Sequence, residues 1–178
     1  GISYVNSNAP FKVFHDYKGV LGSVYASKVH NGMLYLGTNQ GLFYRSLLAD
    51  DEFKFINGTQ GQVWSLNIFE NTLFCGHNSG TFIISDGMAQ KIGGIPGTWT
   101  IAEIADEPNL LLQGNYDGLY ILEKNNQNWK LRNKLEGFSN SSRYFEKLDN
   151  KIFVNHEYKG VFELSVDRSL SRINSVAI

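Results

Sequence analysis

The stretch that decides the fold is residues 33–44, which read Met-Leu-Tyr-Leu-Gly-Thr-Asn-Gln-Gly-Leu-Phe-Tyr. Similar runs, in which two glycines separate apolar segments, return at residues 73–83 and 110–121 and, more loosely, at residues 152–162. The second glycine marks the period, with intervals of 39, 38 and 42 residues between Gly41, Gly80, Gly118 and Gly160. Four-stranded β-propeller blades repeat at about 40–45 residues. The repeat therefore predicts an all-β propeller.

The repeat also predicts how the chain is divided. We expect a single domain over residues 1–178 with about four four-stranded blades, at residues 24–56, 63–92, 98–131 and 142–173. An extra outer-strand run at residues 11–14 has no inner strands of its own. This surplus favours part of a larger ring, or a half ring that pairs with a second copy, over a closed four-bladed ring. Open terminal blades expose apolar faces and strand edges, which favours association.

The glycines of the repeat have two physical roles. Those at the tight turns allow positive φ, which Gly and Asn tolerate better than other residues. Gly37, Gly76 and Gly114 instead lie near strand ends, where a side chain would crowd the neighbouring blade. In the fourth unit Asn155 stands in place of this glycine, and the following turn is longer.

Composition narrows the classes of function. Sixteen basic and seventeen acidic residues leave a net charge of −1, without the basic excess of a nucleic-acid-binding protein. No apolar run approaches the roughly 18 residues of a membrane span, so we expect no membrane contact by this segment. Cys75 is the one cysteine, so no intrachain disulfide forms, and its apolar neighbours predict a buried structural thiol.

A family resemblance rests on residues 63–66, Val-Trp-Ser-Leu, and on residues 34–42, Leu-Tyr-Leu-Gly-Thr-Asn-Gln-Gly-Leu. These runs resemble the two-component-regulator propeller repeat, with its Val-Trp start, its aromatic-apolar-Gly-Thr run and its turn glycine. The resemblance covers residues 11–173 and is strongest in the first three units, since the fourth has Arg143 and Tyr144 where the tryptophan would be. It implies an extracytoplasmic, periplasmic or extracellular, sensor segment of a bacterial signalling protein. Such proteins usually have rings of more than four blades, followed by a transmembrane helix and an output domain.

The candidate ligand-binding residues open the innermost strand of each blade: Tyr25, Trp64, Trp99, Arg143 and Tyr144. In a propeller these positions share one rim with the turns that contain Asn39, Asn78, Asn115 and Asp117. Aromatic rings there could stack on sugar rings, and an arginine could pair with a carboxylate or sulfate. The alternative is that these aromatic side chains simply pack between blades.

Other chemistry has little support in the sequence. The four histidines show no metal-binding spacing, so we expect no metal, no cofactor and ordinary loop histidines at His77 and His156. Acids such as Glu107 and Glu157 lie near predicted turns, but nothing shows two facing carboxylates of the kind that glycosidases use. No nucleophile elbow or catalytic triad pattern appears. We therefore expect no enzyme and no catalytic residues.

Three hypotheses for function follow. The first is a non-enzymatic sensor segment that recognises a glycan or small molecule, or that signals by dimerisation. The second is a protein-interaction scaffold without any small-molecule ligand. Whichever holds, we expect the missing blades or a second copy of the chain as a partner. The third is a fragment of a propeller hydrolase or lyase whose catalytic residues lie on other blades.

Overall fold

The computed structural model describes residues 2, 4, 8, 10, 19–49, 51–105, 107–126 and 128–178, and these contain sixteen β-strands. Blade 1 contains β1 (Val24–His30), β2 (Met33–Thr38), β3 (Leu42–Ser46) and β4 (Lys54–Phe55). Blade 2 contains β5 (Val63–Phe69), β6 (Thr72–His77), β7 (Gly80–Ser85) and β8 (Met88–Ile92). Blade 3 contains β9 (Thr98–Glu103), β10 (Leu110–Asn115), β11 (Gly118–Asn125) and β12 (Asn128–Lys134). Blade 4 contains β13 (Tyr144–Leu148), β14 (Lys151–His156), β15 (Gly160–Val166) and β16 (Ile173–Ala177).

Each blade is an antiparallel meander whose strands pair in chain order. The first strand of each sheet is the inner one, and β1 lies beside β5 and β5 beside β9. The prediction of an all-β propeller with four four-stranded blades is confirmed. The predicted extra outer strand at residues 11–14 lies outside the described residues.

Three apolar clusters join the blades pairwise. Blades 1 and 2 meet around Leu42, Leu73 and Cys75, blades 2 and 3 around Phe74 and Trp129, and blades 3 and 4 around a larger group. The buried side chains of that last group include Leu112, Leu119, Ile121, Leu135, Ile152, Val154 and Leu164. Since each fully buried side chain of this size contributes about 1.5–3 kcal/mol, each blade junction stabilises the fold substantially.

The repeated glycines lie where one blade meets the next. A Cβ on Gly37 would collide with Val63, and one on Gly76 would lie 2.9 Å from the carbonyl oxygen of Thr98. At Gly114 it would collide with the carbonyl oxygen of Ser142. Each colliding group belongs to the start of the following blade. The close approach of each following blade to the second strand of the blade before it therefore requires glycine at these three positions.

The face of blade 4 that corresponds to these junctions is open. We call the side of a blade that faces the next blade along the chain its leading face. Phe153 occupies the strand position of Tyr35, Phe74 and Leu112, which are buried in the three junctions, but it is only partly buried. Three other apolar side chains on the strands of blade 4 are more than half exposed, at Tyr144, Leu148 and Val161.

A buried polar network spans the junction of blades 2 and 3. Thr81 donates a hydrogen bond of 2.6 Å to the side-chain oxygen of Gln113, whose amide nitrogen donates to Asn115 at 2.8 Å. Asn115 in turn donates to the carbonyl oxygen of Pro96 at 3.1 Å. Asn115 ends strand β10 beside Thr98, at the rim where the sequence places it, but it has no exposed surface and serves this network.

His77 is also buried rather than a loop residue. The backbone N–H of Ser79 donates to its Nδ1 at 2.9 Å, so the proton lies on Nε2, which donates to the carbonyl oxygen of Thr59 at 3.2 Å. Burial lowers the pKa of His77 below its ordinary value, and the nearby Lys91 charge acts in the same direction against the Thr59 hydrogen bond. His77 therefore ties the loop between blades 1 and 2 as a neutral side chain.

Candidate functional site

A β-bulge opens the inner strand in each of the first three blades. The pairing register shifts between Val24 and Ala26, between Val63 and Ser65, and at the Gly114–Asn115 step opposite β9. The extra residue is in each case an aromatic one, at Tyr25, Trp64 and Trp99. Bulges commonly turn a side chain away from the regular sheet direction. Here they place three aromatic rings at the same end of three adjacent inner strands.

Arg143 holds the corresponding position in blade 4. The residue after each bulge pairs with a junction glycine, as Ser65 pairs with Gly76. In blade 4 it is Tyr144 that pairs with Asn155 at the glycine position. Arg143, which precedes Tyr144, is therefore the equivalent of the bulged aromatic residues.

These four side chains form one continuous stack. The ring centroids of Tyr25 and Trp64 are 5.4 Å apart, and those of Trp64 and Trp99 are 4.9 Å apart. The guanidinium carbon of Arg143 lies 5.0 Å from the centre of the Trp99 ring and 5.2 Å from that of Tyr144. Such ring–ring and cation–ring contacts stabilise at separations of this size. We call Tyr25, Trp64, Trp99 and Arg143 the channel stack.

Tyr116 completes the stack and was not among the residues predicted from the sequence. Its hydroxyl accepts a hydrogen bond of 2.9 Å from Nε1 of Trp64, and its ring centroid lies 4.8 Å from that of Trp99. A Cβ on Gly97 would collide with the Tyr116 ring, so that glycine makes room for it. The signal in the sequence was Tyr116 standing where the first two units have Asn39 and Asn78.

The second tryptophan is also tied by its indole nitrogen. Nε1 of Trp99 donates to the hydroxyl of Ser141 at 2.9 Å. Both indole N–H groups of the stack are therefore used within the protein. A ligand would meet these rings through their faces and edges, and would find its charged hydrogen-bond donor at Arg143.

The stack opens onto a cleft of about 560 Å³. Its walls include Trp64, Trp99, Arg143 and Tyr144, together with Phe153 and Val161 on the leading face of blade 4. The structure thus brings the five predicted residues together, with four in the cleft wall and Tyr25 stacked on Trp64. Ligand binding by them stays a prediction.

The positive charge of Arg143 in the cleft is paired with a carboxylate of the same chain. Nη1 of Arg143 lies 3.5 Å from Oε1 of Glu157, and both side chains are about half exposed. Glu157 belongs to the turn between β14 and β15, while the carboxylate of Glu146 lies on β13 in the cleft wall. An exposed pair of long side chains at this distance contributes little to folding.

The described residues offer no support for a metal site or for a reactive thiol. Among the described residues, no three His, Cys, Asp or Glu side chains gather in the way that a metal ion needs. Cys75 is fully buried, and burial raises the pKa of its thiol far above the usual range.

Asp117, a predicted rim residue, accepts hydrogen bonds from Tyr120 at 2.9 Å and Lys134 at 3.2 Å.

Comparison by sequence finds no relatives: no protein-family model matches the chain, and no curated protein matches it either. Comparison by structure finds propellers. The WD40 β-propeller domain of Doa1 superimposes with a TM-score of 0.58 at 14% identity, over 85% of this chain and 53% of that one.

Two further matches are extracellular domains from B. thetaiotaomicron. The putative one component system BT4673 gives a TM-score of 0.59 at 19% identity, covering 86% of this chain and 22% of that one. The putative hybrid two component system BT3049 gives 0.55 at 18% identity, covering 80% and 20%. The chain therefore spans about half of the Doa1 domain and about a fifth of the other two.

Together, the fold and the comparisons define this chain as a β-propeller segment. At these identities the likeness concerns the fold, and the two extracellular domains agree with the resemblance to the two-component-regulator propeller repeat. Within the described residues, no helix has the length and apolar character that a membrane span requires.

Proposed function

We propose that this segment is a non-enzymatic recognition module of an extracellular or periplasmic bacterial sensor, and that a glycan or small molecule binds in the cleft beside the channel stack. The observation that carries the proposal is the continuous row of Tyr25, Trp64, Trp99 and Arg143 opening onto a cleft of about 560 Å³. Flat aromatic faces beside a single cation fit a ring-shaped ligand with one polar or charged group.

The exposure of the stack favours binding over pure packing. Tyr25 at one end of the stack is 50% exposed and Tyr144 beside Arg143 is 53% exposed, while Trp64 and Trp99 between them are only partly buried. Aromatic side chains that serve only to join blades stabilise the fold most when they are fully removed from water. Rings left half in water around a cleft are placed as contact surfaces for another molecule.

The proposed location is supported by the kind of protein that shares this fold. Two of the structural matches are extracellular domains of putative one- and two-component systems. Because the ligand site lies on rigid inner strands, a bound molecule would favour one relative arrangement of blades over others. That is how a propeller segment of this kind would pass a signal to the rest of a sensor.

The test is tryptophan fluorescence during titration with a panel of neutral and acidic oligosaccharides. The chain has three tryptophans, and two of them, Trp64 and Trp99, lie in the cleft wall, while Trp129 is buried in the junction of blades 2 and 3. We expect at least one oligosaccharide to change the emission of the stack. Tyr144→Ala should weaken that binding about tenfold or more.

The matched control is Tyr158→Ala, which removes the same side chain from a turn position that is 88% exposed and outside the cleft wall. It should bind like the parent chain. Equal effects of Tyr144→Ala and Tyr158→Ala, or no response to any oligosaccharide, would contradict the proposal.

A second candidate function, a protein-interaction scaffold, is favoured by the leading face of blade 4. Three junctions within the chain already pack a leading face against the following blade, and Phe153, Tyr144 and Val161 remain uncovered on the fourth. A second copy of the chain is the partner that we propose for it. Light scattering over a dilution series should then show a dimer that Phe153→Ser dissociates. A monomer at all concentrations would rule this candidate out.

A further inference from the structure

Glu157, whose side chain pairs with Arg143, is the most informative residue of the site. Arginine presents five N–H donors at the edges of a flat group, and the Arg143 group lies against the rings of Trp99 and Tyr144. The hydrogen bond to Glu157 engages Nη1 alone, at 3.5 Å. The remaining donors are suited to a group with two oxygens, such as a carboxylate or sulfate.

Glu157 also replaces a structural contact of the other blades. In blades 1 and 2 the equivalent residues are Asn39 and Asn78, whose side-chain oxygens accept backbone N–H groups at the start of their own inner strands. The distances are 2.7 Å from Ser23 N and 3.1 Å from Gln62 N. These hydrogen bonds hold each turn against the start of the inner strand. In blade 4 the equivalent residue, Glu157, instead forms a long, exposed ion pair with Arg143.

We propose that Glu157 is an internal substitute for the acidic group of the ligand, so that the cleft selects molecules with a carboxylate or sulfate beside a flat ring. This inference rests on the proposed function. Such a ligand takes Arg143 from Glu157, while a neutral ligand leaves the pair in place. The exchange frees the Glu157 side chain in the turn at residues 157–159, which is one residue longer than the corresponding turns of the other three blades.

The balance of charges supports an exchange of one anion for another. Glu146 lies in the cleft wall, and Glu157 lies outside that wall but is paired with Arg143, so an acidic ligand bound beside an intact Arg143–Glu157 pair would meet two negative charges. Lys159, two residues beyond Glu157, donates to the side-chain oxygen of Asn140 at 2.5 Å. That bond leaves the turn attached to the rim when Glu157 is displaced.

The experiment compares two probes that differ only in the carboxylate, phenyl β-glucuronide and phenyl β-glucoside. Each is titrated against the parent chain, with the emission of Trp64 and Trp99 as the signal. We expect the glucuronide to bind about tenfold more tightly, because its carboxylate can form a charge-assisted pair with Arg143. Arg143→Gln should abolish this preference.

Glu157→Gln is the decisive variant. Removal of the internal competitor should tighten glucuronide binding by about threefold to tenfold and leave glucoside binding unchanged. The control is Glu123→Gln, which makes the same change of charge at an ion pair with Lys130 (3.7 Å) on the outer strands of blade 3. It should leave both affinities as they are.

The outcomes separate this inference from the proposed function. If both probes bind equally and Glu157→Gln changes neither affinity, the cleft binds ligands, but Glu157 does not compete with the ligand for Arg143. If Glu157→Gln and Glu123→Gln tighten glucuronide binding equally, the effect is one of overall charge and the inference is also wrong. If neither probe binds, the proposed function is contradicted and this inference fails with it.

Discussion

The guanidinium carbon of Arg143 lies 5.0 Å from the centre of the Trp99 ring, and the two residues hold the same position in consecutive blades. A cation thus continues a row of aromatic rings that begins at Tyr25. The substitution adds charge to the cleft without interrupting the stack. The site is therefore a variation on the structural repeat rather than an addition to it.

Trp99 lies at the middle of the stack, so its removal should affect both folding and binding. Trp99→Ala loses ring contacts on two sides and the hydrogen bond to Ser141, and should lower the free energy of unfolding by about 2–4 kcal/mol. Trp99→Phe keeps a ring and loses the N–H, and should cost about 1 kcal/mol. Urea denaturation followed by circular dichroism measures both. A loss for Trp99→Ala no larger than that for Trp99→Phe would show that the stack is not stabilising.

The junction glycines should be intolerant of any side chain, but only where a following blade is present. Gly114→Ala brings a Cβ against the carbonyl oxygen of Ser142 and should cost about 3 kcal/mol or more, since backbone must move. Asn155→Ala, at the equivalent position of blade 4, should change stability by less than about 1 kcal/mol. Thermal unfolding of the two variants gives the comparison. A large loss for Asn155→Ala would mean that its face is already tightly covered.

Tyr116 should hold Trp64 through its hydroxyl. Tyr116→Phe keeps the ring against Trp99 but leaves the Trp64 N–H without its acceptor at 2.9 Å, which should cost about 1 kcal/mol. The fluorescence of the parent and variant should also differ, because the surroundings of the Trp64 indole change. Tyr158→Phe, at an exposed turn position, is the control and should match the parent in both measurements. Identical spectra for all three proteins would contradict this role.

His77 should make stability depend on pH. Its folded-state pKa lies below the unfolded value of about 6.5, so the stabilisation is complete above that pH. It is lost as the pH falls from about 6.5 through the folded-state pKa, because the unfolded chain binds a proton there that the folded chain does not. The slope should reach at most about 1.4 kcal/mol per pH unit.

Urea unfolding between pH 7.5 and pH 5 measures this slope. His77→Gln should flatten the profile in that range, whatever its effect on stability at neutral pH. His30→Gln, at an inner-strand end that is partly exposed, should keep the slope of the parent chain. If His77→Gln and the parent chain have the same slope, His77 is not the titrating group.

The fold was predictable because its signals are local. Each turn glycine and each apolar run acts within a few residues, and the period of about 40 residues adds these signals into blades. The crowding expected at Gly37, Gly76 and Gly114 was also predictable, since it repeats with the blades. Asn155 is the exception in the repeat, and its position on an open leading face gives the physical reason.

The candidate site was predictable only in part. The five residues that open the inner strands could be identified from their shared place in the repeat. The contacts of Tyr116 and Ser141 could not, because the bonds that they accept from Trp64 and Trp99 cross 52 and 42 residues of sequence. The equivalence of Arg143, rather than Tyr144, to the tryptophans also required the pairing register of β13 and β14.

The sequence by itself determined the all-β class, the number of blades and the residues that begin each inner strand, because period, turn chemistry and alternation are properties of short segments. The tertiary structure decided which of those residues touch. The bulges aim Tyr25, Trp64 and Trp99 into one row, and the close approach of consecutive blades brings Arg143 to its end. Contacts between blades depend on distances of a few ångströms across separate sheets, and no local pattern in the sequence specifies them.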